Sequence, residues 1–244
     1  MKIAFYTLGC KVNQNETGAL MQLFCENGFS LAAPTEEADV YVVNRCTVTS
    51  GGDKKSRQWL RRAKRQNPEA VTVLTGCYPQ AFPEEAAGAT EADVITGSKN
   101  RAHLLDDVLQ FLQTRERIVD IAPHQQKDLF EELPMEALAG HTRAFMKIED
   151  GCNRRCAYCV IPRARGNVRS RQEENVLKEL AILSKAGYRE VVFSGINLSS
   201  YGQDIQSSLW HIVQRASQID GIERIRLGSL EPDLLDDYCI QQLA

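Results

Sequence analysis

The sequence lacks any long apolar run. Its longest examples, VTVLTG at 71–76 and VVFSGI at 191–196, are far shorter than the roughly 20 residues that a membrane helix needs, so no membrane span is expected. The first residues, MKIAFYTLGC, lack the apolar core and the small-residue cleavage site of a signal peptide. We therefore expect a cytoplasmic protein.

The chain also lacks a strong charge of either sign. It carries 29 Lys and Arg against 32 Asp and Glu, and its net charge of -3 argues against indiscriminate binding of polyanions. Two segments nevertheless contain no acidic residue: KKSRQWLRRAKR at 54–65 has seven basic residues, and NRRCAYCVIPRARGNVRSRQ at 153–172 has six arginines. One such run is usually a solvated surface, but two runs that each follow a cysteine-bearing loop favour a phosphate-rich partner.

Composition and periodicity predict an α/β protein. Hydrophobic residues make up 43% of the chain and charged residues 25%, which is ordinary for one large domain or two smaller ones. In residues 1–120, short apolar runs alternate with helical patterns, which indicates a doubly wound domain with a parallel sheet. The predicted strands are 2–9, 39–45, 71–76 and 93–98, and the predicted helices run from Asn13 or Asn15 to Gly28, from Asp53 to Gln66 and from Arg101 to Thr114.

A second series of βα units follows a segment without regular periodicity. Residues 121–141 contain two prolines and no sustained pattern, so we interpret them as a linker. Residues 142–244 then make about three βα units, which are too few to close a barrel. The predicted strands are 143–150, 190–197 and 224–232, and the predicted helices are 172–187 and 207–219.

Three cysteines of the first half share one position relative to the predicted strands. Cys10, Cys46 and Cys77 each follow the carboxyl end of a strand, and such ends meet at one edge of a parallel sheet. We therefore expect the three side chains to converge, with simple packing of small apolar residues as the alternative. Cys25, on an apolar helix face, and Cys239 are interpreted as packing residues. In the reducing cytoplasm, metal binding or catalysis is favoured over disulfides.

The other three cysteines lie close together in GCNRRCAYCVIPRARG at 151–166. Cys152, Cys156 and Cys159 have a C-x3-C-x2-C spacing that directly follows a predicted strand. A structural zinc site is disfavoured because it needs four ligands and no further Cys or His lies nearby. A cubane iron–sulfur cluster held by only three thiolates would leave one iron able to bind another molecule. The spacing therefore favours such a cluster over zinc or a disulfide.

Several segments together resemble one enzyme family. The C-x3-C-x2-C spacing, with Tyr158 before the last cysteine, is similar to the signature of the radical S-adenosylmethionine enzymes. The resemblance extends over the whole chain to the methylthiotransferase branch through TLGCKVNQNET, CTVTSGGDKKSRQ, TGCYPQ, SGINLSSYG and RIRLGSLEP. Residues around Cys10 and Cys46 look most like the members that methylthiolate threonylcarbamoyladenosine at position 37 of tRNA. Other members modify isopentenyladenosine in tRNA or an aspartate of a ribosomal protein.

The resemblance implies two [4Fe-4S] clusters and a site for S-adenosyl-L-methionine. Cys152, Cys156 and Cys159 would hold the catalytic cluster, whose open iron binds S-adenosylmethionine and cleaves it to a radical. The three strand-end cysteines would hold an auxiliary cluster that carries the sulfur to be methylated and transferred to C2 of the adenine. The residues implied at the S-adenosylmethionine site are Ser194, Gly195, Asn197, Ser229 and Glu231.

The resemblance also implies a fold and partners. Residues 142–244 would form the first βα units of a radical S-adenosylmethionine partial TIM barrel, whose later units and RNA-binding domain these residues do not include. The implied partners are the anticodon stem-loop of tRNA and an electron donor such as a flavodoxin or ferredoxin. The alternatives are the same chemistry on another tRNA base or a protein, and a non-catalytic module that binds iron–sulfur clusters or RNA.

Two residues near the expected auxiliary cluster have more than one interpretation. The family usually has threonine where this chain has Arg45, and a guanidinium there would raise the cluster's reduction potential, reach a phosphate or point into solvent. Trp59 could stack on a base of the RNA or face the core. Its helical spacing with Leu60 and Ala63 favours the core.

Overall fold

The computed structural model describes residues 1–47, 51–133, 143–232 and 237–243. Its contacts divide the chain into two compact units. The first unit comprises Met1–His124 with Tyr158–Arg165, and the second comprises Gln125–Ala157 with Gly166–Ala244. Of the predicted linker, residues 134–141 lie outside the described residues.

Six parallel strands form the sheet of the first unit: β1 (Lys2–Leu8), β2 (Ser30–Ala32), β3 (Val40–Arg45), β4 (Val71–Gly76), β5 (Val94–Thr96) and β6 (Ile118–Asp120). They lie in the order β2-β1-β3-β4-β5-β6. The prediction of four strands is therefore wrong by two. The sequence gives little sign of β2 and β6, because each has only three residues and partly exposed side chains at the edge of the sheet.

Helices cover both faces of this sheet, as the predicted doubly wound fold requires. They are α1 (Lys11–Glu26), α2 (Gly51–Gln66), α3 (Cys77–Ala81), α4 (Pro83–Ala87), α5 (His103–Thr114) and α6 (Ile161–Arg165). Successive strand residues point to opposite faces, so Val42 packs in a core with Phe24 of α1 and Phe111 of α5. Its neighbour Val43 packs on the other face with Leu60 of α2.

Helix α1 begins earlier than predicted. The sequence predicts Asn13 or Asn15 as its cap, but the cap position is occupied by Cys10. Asn13 lies in the first turn, where its Oδ1 accepts a hydrogen bond from the backbone N–H of Cys10 at 3.3 Å. A side chain inside the first turn can satisfy a helix-end donor as well as a residue at the cap can, and the sequence did not distinguish the two positions. The predicted stop near Gly28 is confirmed, since the helix ends at Glu26.

The second unit is a smaller parallel βα assembly. Its strands are β7 (Ala144–Lys147), β8 (Glu149–Asp150), β9 (Arg169–Ser170), β10 (Glu190–Ser194) and β11 (Arg224–Leu227), with helices α7 (Glu173–Lys185), α8 (Leu209–Ala216) and α9 (Asp237–Leu243). Strands β7, β10 and β11 are parallel in the order β11-β10-β7. The single strand predicted at 143–150 is two strands instead, because β8 leaves the parallel sheet to pair antiparallel with β9.

Apolar side chains of α7 and α8 cover the parallel strands of the second unit. Leu180 of α7 and Ile212 of α8 lie in one buried cluster with Met146, Val191 and Phe193 of the strands. The three parallel strands and their helices agree with the predicted start of a βα barrel. Among the described residues, no helix is long and apolar enough to cross a membrane.

Candidate metal centre

The parallel register of the first unit aligns the strand ends that precede its cysteines. The last residues of β1, β3 and β4 lie side by side, with Leu8 opposite Arg45 and Arg45 opposite Gly76. Cys10 therefore begins the turn into α1, Cys46 directly follows β3, and Cys77 is the first residue of α3. All three follow the same edge of the sheet, where backbone N–H groups at helix starts are available to a ligand.

A network of hydrogen bonds joins these cysteines. Asn13 is fully buried, and its Nδ2 donates to Asn44 Oδ1 at 3.2 Å and lies 3.8 Å from Cys77 Sγ. The Cys10 thiol donates to Asn13 Oδ1 at 3.3 Å, and a hydrogen bond links the side chains of Cys46 and Cys77. Within the described part of the chain, however, no three His, Cys, Asp or Glu side chains are close enough together to coordinate one metal ion. Metal ligation by this set therefore stays a prediction.

Cys77 is the most buried cysteine of the set. The hydrogen bond from Cys46 lowers the pKa of its thiol to about 6, against the opposing effect of burial, and the charge of Arg165 acts in the same direction. Arg165 Nε donates to Cys77 Sγ at 3.1 Å. Because the thiolate is the form that binds metal, the lowered pKa favours the form of Cys77 that a metal site would need. Three cysteine donors with one favoured thiolate are a donor set that fits an iron–sulfur cluster.

For two other residues of the first unit, the structure decides against an interpretation from the sequence. Cys25 is exposed, so its interpretation as a packing residue is wrong. Arg45 does not point into solvent: its side chain is 4% exposed and its guanidinium carbon lies 3.4 Å from the centre of the Tyr78 ring. The side chain of Cys239 lies outside the described residues.

The closely spaced cysteines are divided between the two units. Cys152 and Cys156 belong to the second unit, and Cys159 belongs to the first. Cys152 is half-buried and its backbone N–H donates to Gly166 O at 3.0 Å, whereas Cys156 is exposed. Cys159 is half-buried. Joint ligation of a cluster by the three residues stays a prediction.

The residues predicted to contact S-adenosylmethionine lie at the carboxyl ends of β10 and β11. Ser194 ends β10 and donates from Oγ to Met146 O at 3.2 Å, and Gly195 and Asn197 follow it. Ser229 follows β11 and accepts a hydrogen bond from the backbone N–H of Leu198 at 3.1 Å. Glu231 is exposed, and its backbone N–H donates to Ser199 Oγ at 2.8 Å. The loops after β10 and β11 thus contact each other, but ligand binding by these residues stays a prediction.

Sequence reasoning missed Glu149, which is fully buried beside the predicted ligand residues. Its Oε2 accepts a hydrogen bond from the backbone N–H of Asn197 at 2.8 Å, and a Cβ added to Gly195 would lie only 2.5 Å from this oxygen. Burial, with a smaller contribution from the charge of Asp150, raises the pKa of Glu149 to about 8. The available signal in the sequence was an acidic residue in the predicted strand 143–150, directly before the cysteine loop.

Two buried acceptors in this region have no hydrogen-bond donor within the described chain. They are Glu149 Oε1 and Asn197 Oδ1. Buried polar atoms without partners are uncommon in folded proteins, and each calls for an explanation such as strain, a catalytic role or a bound water or ion. A cationic N–H-bearing group such as the amino group of S-adenosylmethionine fits these two oxygens, because its charge would favour the ionised form of Glu149, in which Oε1 accepts hydrogen bonds.

The first basic run forms an exposed surface. On α2, Lys54, Arg61 and Arg65 are exposed and line a cavity of about 600 Å³ together with Lys64. Glu91 also lines this cavity and pairs with Arg61 at 2.6 Å. Trp59 on the same helix packs against Tyr6, with ring centres 4.0 Å apart, and lies against the buried cluster around Leu60. The core interpretation of Trp59 therefore agrees with its contacts.

The second basic run differs from its prediction as a phosphate-binding surface. Arg165, Arg169 and Arg171 are each at most 8% exposed. Arg165 pairs with Glu16, and Arg171 pairs with Glu179. These arginines therefore form ion pairs inside their units and are not available to an external phosphate. The prediction is wrong for these three arginines, because the charge run in the sequence does not show which carboxylates lie opposite in the fold.

Two family models match the chain. One, described as "Uncharacterized protein family UPF0004", matches residues 2–97, and the other, the "Radical SAM superfamily", matches residues 146–239. The first model contains the three strand-end cysteines, and the second contains the C-x3-C-x2-C loop and the ends of β10 and β11.

Several curated proteins are similar over nearly the whole chain. Those named threonylcarbamoyladenosine tRNA methylthiotransferase MtaB include the protein of Bacillus subtilis, 42% identical over 99% of this chain, and that of Aquifex aeolicus, 39% identical over 97%. A tRNA-2-methylthio-N(6)-dimethylallyladenosine synthase of a Sulfurihydrogenibium species is 30% identical over 100%. The chain spans about half the length of these relatives, between 54% and 58% of each.

A solved structure shares the fold. It is that of the radical S-adenosylmethionine methyltransferase TsrM from Kitasatospora setae with tryptophan substrate and a SAM analogue bound, with a TM-score of 0.66. The match covers 99% of this chain and 57% of the solved chain at 13% sequence identity. At that identity the likeness supports the α/β architecture alone.

Glu149→Gln should change how stability depends on pH. The folded pKa of Glu149, about 8, is above its ordinary value of 4.5, so the folded state binds the proton more tightly than the unfolded state does. The resulting stabilisation is fully present below about pH 4.5 and is lost as the pH rises towards about 8, by up to roughly 1.4 kcal/mol per pH unit. Glutamine cannot lose a proton, so the variant should gain stability relative to the parent at the upper end of this range.

Urea unfolding at about pH 5 and about pH 8 measures this difference. The exposed variant Glu231→Gln serves as the matched control, and it should follow the parent at both values. A Glu149→Gln curve parallel to that of the parent would contradict the buried neutral carboxyl.

Proposed function

The chain belongs to the radical S-adenosylmethionine methylthiotransferase family, and on this basis we propose that it converts N6-threonylcarbamoyladenosine at position 37 of tRNA to its 2-methylthio derivative. The observation that carries the proposal is the presence of two separate three-cysteine sets, one at the sheet edge of the first unit and one in the C-x3-C-x2-C loop. The choice of substrate is supported by the relatives of 42% and 39% identity, which are named for this nucleoside.

The proposed cofactors are two [4Fe-4S] clusters and S-adenosyl-L-methionine. When bound, they supply the radical and methylthio chemistry, and the protein supplies ligands, orientation and shielding. In the first unit, the lowered pKa of Cys77 favours the thiolate that a cluster needs. In the second unit, Glu149 holds the backbone of Asn197 through a hydrogen bond. Glu149 Oε1 and Asn197 Oδ1 would then accept hydrogen bonds from the amino group of S-adenosylmethionine.

The proposed partner is the anticodon stem-loop of tRNA. The exposed cations of α2 line an open cavity and would contact phosphates of the RNA backbone, which dominate the affinity of such complexes. Reductive cleavage of S-adenosylmethionine also needs an electron donor such as a flavodoxin or ferredoxin. A cytoplasmic location follows from a tRNA substrate and is part of the proposal.

Cys156→Ala should separate the two cysteine sets. After anaerobic reconstitution with iron and sulfide, the parent should hold about eight iron atoms, four for each cubane, and the variant about four. The variant should also yield no 5′-deoxyadenosine from S-adenosylmethionine and reductant, because it lacks one thiolate of the catalytic set. Iron analysis and chromatography of the nucleoside products measure both quantities.

The exposed Cys25 provides the matched control, and Cys25→Ala should retain the iron and the product of the parent. A parent that forms clusters but no 5′-deoxyadenosine would favour a non-catalytic module. Stoichiometric zinc in place of iron would refute the cluster assignment.

Deletion of the gene should remove the 2-methylthio form of threonylcarbamoyladenosine from cellular tRNA. The unmodified threonylcarbamoyladenosine should accumulate instead, and mass spectrometry of digested tRNA measures both nucleosides. Restoring the gene should restore the modified nucleoside, and restoring it with Cys156→Ala should not. Loss of the methylthio form of dimethylallyladenosine, with the threonylcarbamoyl nucleoside unchanged, would assign the other tRNA substrate.

Charge reversal on α2 should weaken RNA binding in a salt-dependent way. In a Lys54→Glu and Arg65→Glu double variant, the slope of log affinity against log salt concentration for an anticodon stem-loop RNA should fall by about one unit per lost phosphate contact. The matched control is Lys178→Glu with Lys185→Glu, an equal charge change at exposed positions of α7. Equal effects of both double variants would show that only net charge matters and would contradict a site on α2.

A further inference from the structure

Arg165 is the largest fully buried side chain of the described residues, at 0% exposure. It ends α6, six positions after Cys159 in the sequence. Burying a guanidinium is unfavourable unless charged and hydrogen-bonding partners compensate for the lost water. Its partners therefore indicate what the side chain is for.

Glu16 of α1 holds the guanidinium in place. Arg165 Nη2 donates to Glu16 Oε2 at 2.9 Å, and Arg165 Nη1 donates to Glu16 Oε1. The same carboxylate, 1% exposed, also pairs with Arg101 Nη2 at 2.7 Å. A two-point contact through Nη1 and Nη2 fixes the plane of the guanidinium, and Nε–H is then available to an acceptor other than Glu16.

The Nε–H points to a sulfur. It donates to Cys77 Sγ at 3.1 Å, a sulfur that also contacts Asn13 and Cys46 in the cysteine network. The contact lies within the first unit, where Ala164 packs with Cys77 and Ala81 and accepts a hydrogen bond from Ser98 Oγ. The short segment that contains Cys159 thus also contains Arg165, which contacts Cys77 of the other cysteine set.

We propose that Arg165 is a positioning residue of the auxiliary centre, held by Glu16 so that its Nε–H and positive charge stabilise the sulfur of Cys77 and raise the reduction potential of the cluster bound there. The proposal rests on the proposed function, because that function places a cluster at Cys77. Hydrogen bonds to ligand sulfurs and nearby charge are established determinants of iron–sulfur potentials. A buried cation favours the more negative, reduced form of a cluster, because the interior screens the interaction less than water does.

The test isolates the auxiliary centre. The full chain with Cys152, Cys156 and Cys159 all changed to alanine is reconstituted anaerobically, and its midpoint potential is measured by a redox titration followed by electron paramagnetic resonance. Arg165→Gln in this background should shift the midpoint to a more negative value, and Arg165→Lys should give a smaller shift because the charge is kept. The matched control is Arg163→Gln, an exposed arginine on the same helix, which should leave the midpoint unchanged.

The outcomes distinguish the existence of the auxiliary cluster from the role of Arg165. If the parent binds no four-iron cluster, both the auxiliary cluster and the role of Arg165 are overturned. If the cluster forms and Arg165→Gln changes the midpoint no more than Arg163→Gln does, only the role of Arg165 is overturned. Circular dichroism shows whether each variant folds. If Arg165→Gln does not fold, the midpoint potential of Arg165→Lys is compared with that of Arg163→Gln in the same way.

Discussion

The register of three adjacent parallel strands is the constraint on which the first unit depends. Because β1, β3 and β4 end side by side, the residues that follow them begin at one edge of the sheet although they are more than thirty positions apart in the sequence. That edge receives Cys10, Cys46 and Cys77. The buried Asn13 links Cys10 to Cys77, and Cys46 is hydrogen-bonded to Cys77. A shift of one strand by a single residue would turn its side chains to the other face and would break this arrangement.

A buried ionisable side chain lies at each of the two candidate sites. In the first unit, Arg165 and Glu16 form an ion pair at the cysteine network, and in the second, Glu149 lies beneath the loop that carries Asn197. Replacing such groups by apolar side chains of similar size would often leave stability unchanged or increase it, so stability alone is a weak reason for them. Both groups instead contact the residues that are predicted to bind the auxiliary cluster and S-adenosylmethionine.

The two basic runs have a similar composition, but their side chains lie in different environments. On α2, most cations lie on the exposed side of a helix whose apolar side contributes Leu60 and Ala63 to the core. In the second run, Arg165 and Arg171 enter the interior because Glu16 and Glu179 are brought opposite them by the fold. The first run thus retains the open surface that a phosphate backbone requires, whereas Arg165 and Arg171 of the second run do not contribute to one.

Much of the architecture is determined by the sequence alone. Periodicity located the long helices and the buried strands, and the spacing of the cysteines indicated two separate sets, because these signals are local or depend on simple strand-end geometry. The three-residue strands β2 and β6 were missed because they contain too few residues to show a period. The start of α1 was misplaced because Asn13 stabilises the helix from inside its first turn.

Only the tertiary structure decided the environments of single charged and sulfur-bearing side chains. The burial of Glu149 and Arg165, the exposure of Cys25 and the placement of Arg45 over Tyr78 depend on residues distant in the sequence. Periodicity describes the face on which a residue lies, but the free energy of a charge depends on the atoms that surround it in three dimensions. The sequence therefore determined which chemical groups are present, and packing decided which of them meet.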